Sequence, residues 1–166
     1  MTHSNSPYAK YLKLLWITAI IVTVDQVTKA AVMHFLPLYH SVPVISGFFN
    51  ITHIHNPGGA FGFLASRNSG WFFPIFLVAT ILAMGMVFYL YRRTYSEFPF
   101  LNTALAMIFG GAAGNLIDRL RFGNVVDFLD VYVKTHHWPA FNVADSAISI
   151  GVMVFLYHLV FRKIPE

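Results

Sequence analysis

The chain contains no cysteine, which excludes disulfides, thiolate metal sites and a cysteine nucleophile. Charge is scarce as well. Asp, Glu, Lys and Arg make up 11% of its 166 residues, against roughly a quarter in soluble domains. The zinc-protease pattern His-Glu-x-x-His is missing, and so is a Gly-x-Ser-x-Gly nucleophile elbow around any serine. No internal repeat, composition shift or low-complexity linker marks a boundary, so the expectation is a single membrane domain over residues 1–166. The net charge of +4 is modest, and the basic residues sit mainly at the ends of apolar runs, which reads as membrane topology rather than a nucleic-acid patch, so no nucleic-acid partner is expected.

What the chain does have is apolar length: 57% of it is hydrophobic. Four segments can span a hydrocarbon core, at about residues 12–35, 71–91, 98–117 and 141–161. Lys10 and Lys13 precede the first, Arg92 and Arg93 follow the second, and Arg162 and Lys163 follow the fourth. If the spans alternate, these pairs share one side, which places both termini in the cytoplasm. Of the seven acids only Glu97 and Glu166 then lie inside. The outer segment, about 37–70, carries β-branched and aromatic residues around Val42-Pro-Val-Ile-Ser-Gly-Phe-Phe-Asn-Ile-Thr-His-Ile. That run predicts a small sheet on the outer face, turning at Asn56-Pro-Gly-Gly. The fold class is therefore an all-α membrane protein with four transmembrane helices and a small extracytoplasmic β-sheet.

The polar residues gather around one stretch, Phe109 to Phe128. Its small residues Gly110, Gly111, Ala112, Ala113 and Gly114 predict a closely packed helix, because small side chains let backbones approach in lipid. Polar groups follow: Asn115, Asp118, Arg119, Arg121 and Asp127. Asp127 and Asp145 are the candidate pair for chemistry. Two carboxylates in a partly apolar site cannot both ionise easily, so one keeps a proton and the other can activate water. The competing reading has Asp145 capping its helix and Asp127 as a loop acid, and residue types leave both open. Asp25 and Lys29, at i and i+4, read as a structural ion pair. Asp118 with Arg119 or Arg121 reads as a stabiliser of the third span's end, and Arg119 can also hold a carbonyl or phosphate through its planar fork. His53 and His55, and adjacent His136 and His137, read as interfacial or solvated histidines rather than metal ligands. A proton-coupled transporter would place its acids near the bilayer midplane, often within repeats; here the acids crowd one face.

Four blocks together resemble the lipoprotein signal peptidase (signal peptidase II) family of bacterial inner membranes. They are Asp25-Gln-Val-Thr-Lys29, Asn56-Pro-Gly-Gly-Ala-Phe-Gly62, Gly114-Asn-Leu-Ile-Asp-Arg119 leading to Val125-Val-Asp-Phe128, and Phe141-Asn-Val-Ala-Asp145. The resemblance implies an aspartic endopeptidase that removes the signal peptide from diacylglyceryl-modified prolipoproteins, cutting before the lipidated cysteine without metal or cofactor. It assigns catalysis to Asp127 and Asp145. Asn56, Asn115, Arg119, Asn142 and Gly58 match site-lining positions, and Asp25 with Lys29 match supporting ones. It also implies a β-cradle with a flanking amphipathic segment, a monomer, and inhibition by globomycin-type cyclic peptides. Gly59 and Gly62 stand where the family commonly has Ala and Ser, which loosens that turn. The Gly-x-Gly-Asp signature of presenilin-type aspartic enzymes is absent.

Overall fold

A computed structural model of the chain describes residues 8–57, 72–94 and 98–161. Helix α1 (Ala9–Phe35) leads into strands β1 (Ser41–Ile45) and β2 (Phe49–Asn56); helices α2 (Phe72–Thr94) and α3 (Pro99–Phe122) follow. Strands β3 (Val125–Val133) and β4 (His136–His137) then precede helix α4 (Val143–Phe161). All four helices are long and apolar enough to cross a membrane. Their outward faces suit hydrocarbon: Leu82 is 68% exposed and Val160 70%.

Helix α3 is the hub, packing against each of the other three. Its small residues make this possible. A Cβ on Gly110 would stand 3.1 Å from the Thr18 Cα of α1, and one on Gly111 would run into the Ala144 carbonyl of α4. Gly151 of α4 answers from the other side, where a Cβ would lie 2.7 Å from the Ala104 carbonyl oxygen. Away from the sheet, Leu14, Tyr91, Leu101, Leu105 and Ala106 form the buried apolar cluster. The buried Tyr91 hydroxyl donates to the Lys10 carbonyl at 2.7 Å, which satisfies its polar tip.

Helix α3 starts with Pro99 in its first turn, where a missing N–H costs nothing. It runs to Phe122, beyond the expected limit near residue 117, so Asn115, Asp118 and Arg119 all lie on helix. Gly123, at φ 74°, ends it in the left-handed region that only glycine enters freely, with its N–H on the Arg119 carbonyl at 2.9 Å. The turn feeds β3 directly.

The sheet is antiparallel, ordered β1-β2-β3-β4. It therefore joins residues 125–137 to strands from the expected outer segment near 37–70. Strand β3 carries a largely buried run, Val125 to Phe128, and sits centrally, with Ile54 paired to Asp127. A register shift between Ile51 and Ile54 bends β2. The lead into α4 is fastened to β3 through the Phe128 and Leu129 N–H groups, which both donate to the Phe141 carbonyl. The sheet thus hangs over the end of the bundle where the polar residues collect.

Candidate active site

A buried charge node lies at its base. Lys29 Nζ is 2.8 Å from Asp25 Oδ2 and 2.8 Å from Asp118 Oδ2, with all three side chains about 1% exposed or less. The expected i,i+4 pair is thus one arm of a triad. Asp118 serves Lys29 rather than Arg119 or Arg121, because its position on α3 faces α1, while Arg119 packs over the Phe76 ring and Arg121 reaches Gln26. Each acid also ties down backbone: Asp25 Oδ1 accepts the Ala144 N–H at 2.9 Å, and Asp118 Oδ2 accepts the Val126 N–H at 3.1 Å. One carboxylate therefore holds the first turn of α4, where negative charge suits the helix dipole, and the other holds β3.

Above the node, two asparagines connect the candidate acids. Asn115 Oδ1 accepts from Lys29 Nζ at 3.1 Å and from Asn142 Nδ2 at 3.2 Å, while its own Nδ2 donates to Asp145 Oδ1 at 2.8 Å. Asn142, fully buried, caps α4. Its Oδ1 accepts the Asp145 N–H at 2.9 Å, and Asp145 Oδ2 accepts the Asn142 N–H at 3.3 Å. This is a reciprocal capping box, with Asn142 as the N-cap and Asp145 in the first turn returning its carboxylate to the Asn142 N–H. Only one of its oxygens is engaged there. Asn142 Nδ2 also reaches Asp127 Oδ1 at 2.8 Å, and Asn56 Nδ2 donates to Asp127 Oδ2 at 3.0 Å. Asp127, 2% exposed, is a sheet residue rather than a loop acid.

Burial, and then the nearby Asp145 charge, push the Asp127 carboxyl up to about 7; the Asn56 and Asn142 hydrogen bonds and the Lys29 charge pull the other way. A buried carboxylate beside a second one retains its proton near neutrality for this reason. Both acids line a cleft of about 1380 Å³ between the sheet and the bundle, together with Asn56, Asn115 and Arg119. The structure thus brings Asp127, Asp145, Asn56, Asn115, Arg119 and Asn142 together, with Asp25 and Lys29 beneath them. Gly58, and with it Gly59 and Gly62, lies outside the described residues.

Gln26 was missed as a site residue. Its Nε2 bonds Asp118 Oδ1 at 2.8 Å and approaches Asp25 Oδ2 at 3.2 Å, so it bridges the two acids of the node. Its signal was an uncharged amide inside an apolar span, next to an acid that also needed partners. Trp138 and Phe76, which line the cleft, gave no comparable signal because aromatics crowd every membrane boundary.

Four spanning-capable helices with a sheet across one end and buried carboxylates in the cleft between define a multi-pass membrane protein with an enzyme-like site. The family model of signal peptidase (SPase) II, Peptidase_A8, matches residues 17–161. The chain is 53% identical over 155 residues to the lipoprotein signal peptidase of Desulforapulum autotrophicum, covering 93% of this chain and 96% of that one. With the lipoprotein signal peptidase of Geobacter metallireducens it shares 46% over 144 residues, covering 87% and 88%. A solved bacterial membrane enzyme, determined in meso at 1.9 Å resolution, superposes with a TM-score of 0.76 at 32% identity, over 90% of this chain and 94% of that one. The chain belongs to the signal peptidase II family. It is accordingly a membrane protease that acts on prolipoproteins.

Proposed function

We propose that the chain cleaves the signal peptide from diacylglyceryl-modified prolipoproteins just before the lipidated cysteine, as an aspartic endopeptidase using Asp127 and Asp145. The observation that carries this reading is Asn142, which bonds Asp127 through its side chain and Asp145 through its reciprocal cap. One fully buried residue thus ties together both carboxylates of a single cleft. They share one proton, retained at neutral pH because Asp127 is pushed up to about 7. The ionised member takes a proton from water, whose oxygen attacks the scissile carbonyl carbon. The protonated member donates to the carbonyl oxygen, and a proton then passes to the departing amine as the C–N bond breaks. Arg119 and Asn115 supply donors toward the developing charge.

The substrate's acyl chains enter laterally between helices, with the scissile bond at the outer surface of the bacterial inner membrane. Both termini are cytoplasmic, the enzyme acts as a monomer without metal or cofactor, and a globomycin-type cyclic peptide occupies the same cleft. The test is cleavage of a lipidated prolipoprotein by purified protein, beside the unlipidated substrate and the Asp127→Asn and Asp145→Asn variants. The expected result is a cut before the lipidated cysteine, insensitive to chelator and lost in both folded variants. Turnover retained in either variant removes that residue from the chemistry.

A further inference from the structure

His53 and His55 lie two apart on β2, beside the cleft but outside the network of the two candidate aspartates. Their Nε2 atoms face each other at 3.2 Å, with ring centroids 5.1 Å apart and planes inclined at 63°. The rings therefore meet nitrogen to nitrogen rather than stacking. His53 Nδ1 lies 2.8 Å from the Leu36 carbonyl oxygen. A carbonyl only accepts, so Nδ1 carries the hydrogen and Nε2 is left with its lone pair directed at His55. An imidazole held by a backbone carbonyl in this way is the usual outer support of a metal-ligating histidine. His53 is buried, which fixes its ring, whereas the half-buried His55 opens into the cleft.

We propose that His53 and His55 form a two-histidine chelate for a transition-metal dication of the zinc type, and that its occupation inhibits the peptidase. An ion bonded at about 2.05 Å to each Nε2 would subtend an N–metal–N angle of about 103°, close to tetrahedral. No group of three or more His, Cys, Asp or Glu among the described residues is arranged to hold a metal, so water completes the coordination from the cleft side. In the metal-free protein the same two nitrogens share one hydrogen, His55 Nε2–H donating to His53 Nε2. Binding releases that contact as the His55 hydrogen moves to its Nδ1.

The inhibition rests on the aspartic reading above; the binding does not. His55 adjoins Asn56, whose amide donates to Asp127 Oδ2. A dication held there adds positive charge to the wall of the cleft, which favours the ionised form of Asp127 and strips the proton that the pair needs. It also pins the strand next to the amide that positions Asp127.

The test uses tag-free protein in detergent, with Co2+ as the spectroscopic probe and Zn2+ as the inhibitor. Wild type is expected to show the visible bands of four-coordinate Co2+, removed by Zn2+, with affinity about tenfold or more lower in His53→Gln and in His55→Gln. His53→Phe, which keeps a ring at the buried position, is the second variant should glutamine disturb folding. Asp127→Asn, inactive on the reading above, is expected to bind Co2+ as wild type does, so a failure of the catalytic assignment leaves the binding result standing. Zn2+ is expected to suppress wild-type cleavage, with EDTA restoring it, and to act about tenfold more weakly on His55→Gln. Equal Co2+ affinity in wild type and the histidine variants, or none in any of them, overturns the site. Zinc bound at the pair with cleavage unchanged overturns its inhibitory role.

Discussion

Replacing Asn56 by alanine removes a donor lying 3.0 Å from Asp127 Oδ2 and leaves Asn142, among the described residues, as the side-chain donor to that carboxyl. The lost bond favours the ionised carboxylate, so its removal raises the Asp127 pKa above about 7. A hydrogen bond to a charged group is worth about 1.5–3 kcal/mol. Asn56 is only half-buried, so the lower end applies, and at about 1.4 kcal/mol per pKa unit the rise is about one unit. On the proposed mechanism activity fails on the alkaline side when the pair loses its shared proton. The alkaline limb of kcat/KM against pH should therefore move upward by about one unit in Asn56→Ala. The assay is cleavage of one lipidated substrate across that limb, for wild type and variant in the same detergent. A limb that stays in place, or moves down, refutes the assignment of that ionisation to Asp127.

Lys29→Met should destabilise the folded protein by about 3–5 kcal/mol, read from denaturant unfolding in detergent, because it strands two buried carboxylates without their cation. A loss below about 1 kcal/mol would mean the node is hydrated and weakly coupled. Gly114→Ala places a Cβ 2.7 Å from Asp25 Oδ2 and 3.3 Å from the Ala144 Cβ, so the carboxylate oxygen that pairs with Lys29 must shift. The cost should be about 1–3 kcal/mol, seen as a lower Tm together with reduced cleavage, and an unchanged Tm would contradict the packing described. Asp127 binds its proton more tightly in the fold, at about 7, than in the unfolded chain, at 3.8. Its contribution to stability is therefore present at low pH and lost as pH rises through about 7. Asp127→Asn should flatten that part of the pH–stability curve, which unfolding at a series of pH values checks.

The helices were legible because a span is a one-dimensional property: some twenty apolar residues in a row satisfy their own backbone wherever they sit. The small-residue run at Gly110 to Gly114 likewise announced close packing, and close packing is what α3 makes with α1 and α4. Strand pairing was less legible. The β-branched run after residue 41 looked like strands, but its pairing with Val125–Val133 depends on chain brought back through two helices, and nothing local encodes such a partner. Asp118 shows the same limit. Beside Arg119 in sequence, it points instead to Lys29 on another helix, because adjacent helical residues do not face each other.

The sequence by itself determined the four spans, their polar end, the scarcity of acids that made each one informative, and the family through its four blocks. Only the tertiary structure decided the connections. It made Asp25 and Asp118 backbone anchors for α4 and β3, set Asn142 between the two candidate aspartates, and let Asp145 complete a helix capping box while lining a cleft. Residue types specify which hydrogen bonds a side chain can make. Which ones it does make depends on groups from distant segments that meet only when the helices pack, and in a buried site those partners decide where the proton resides.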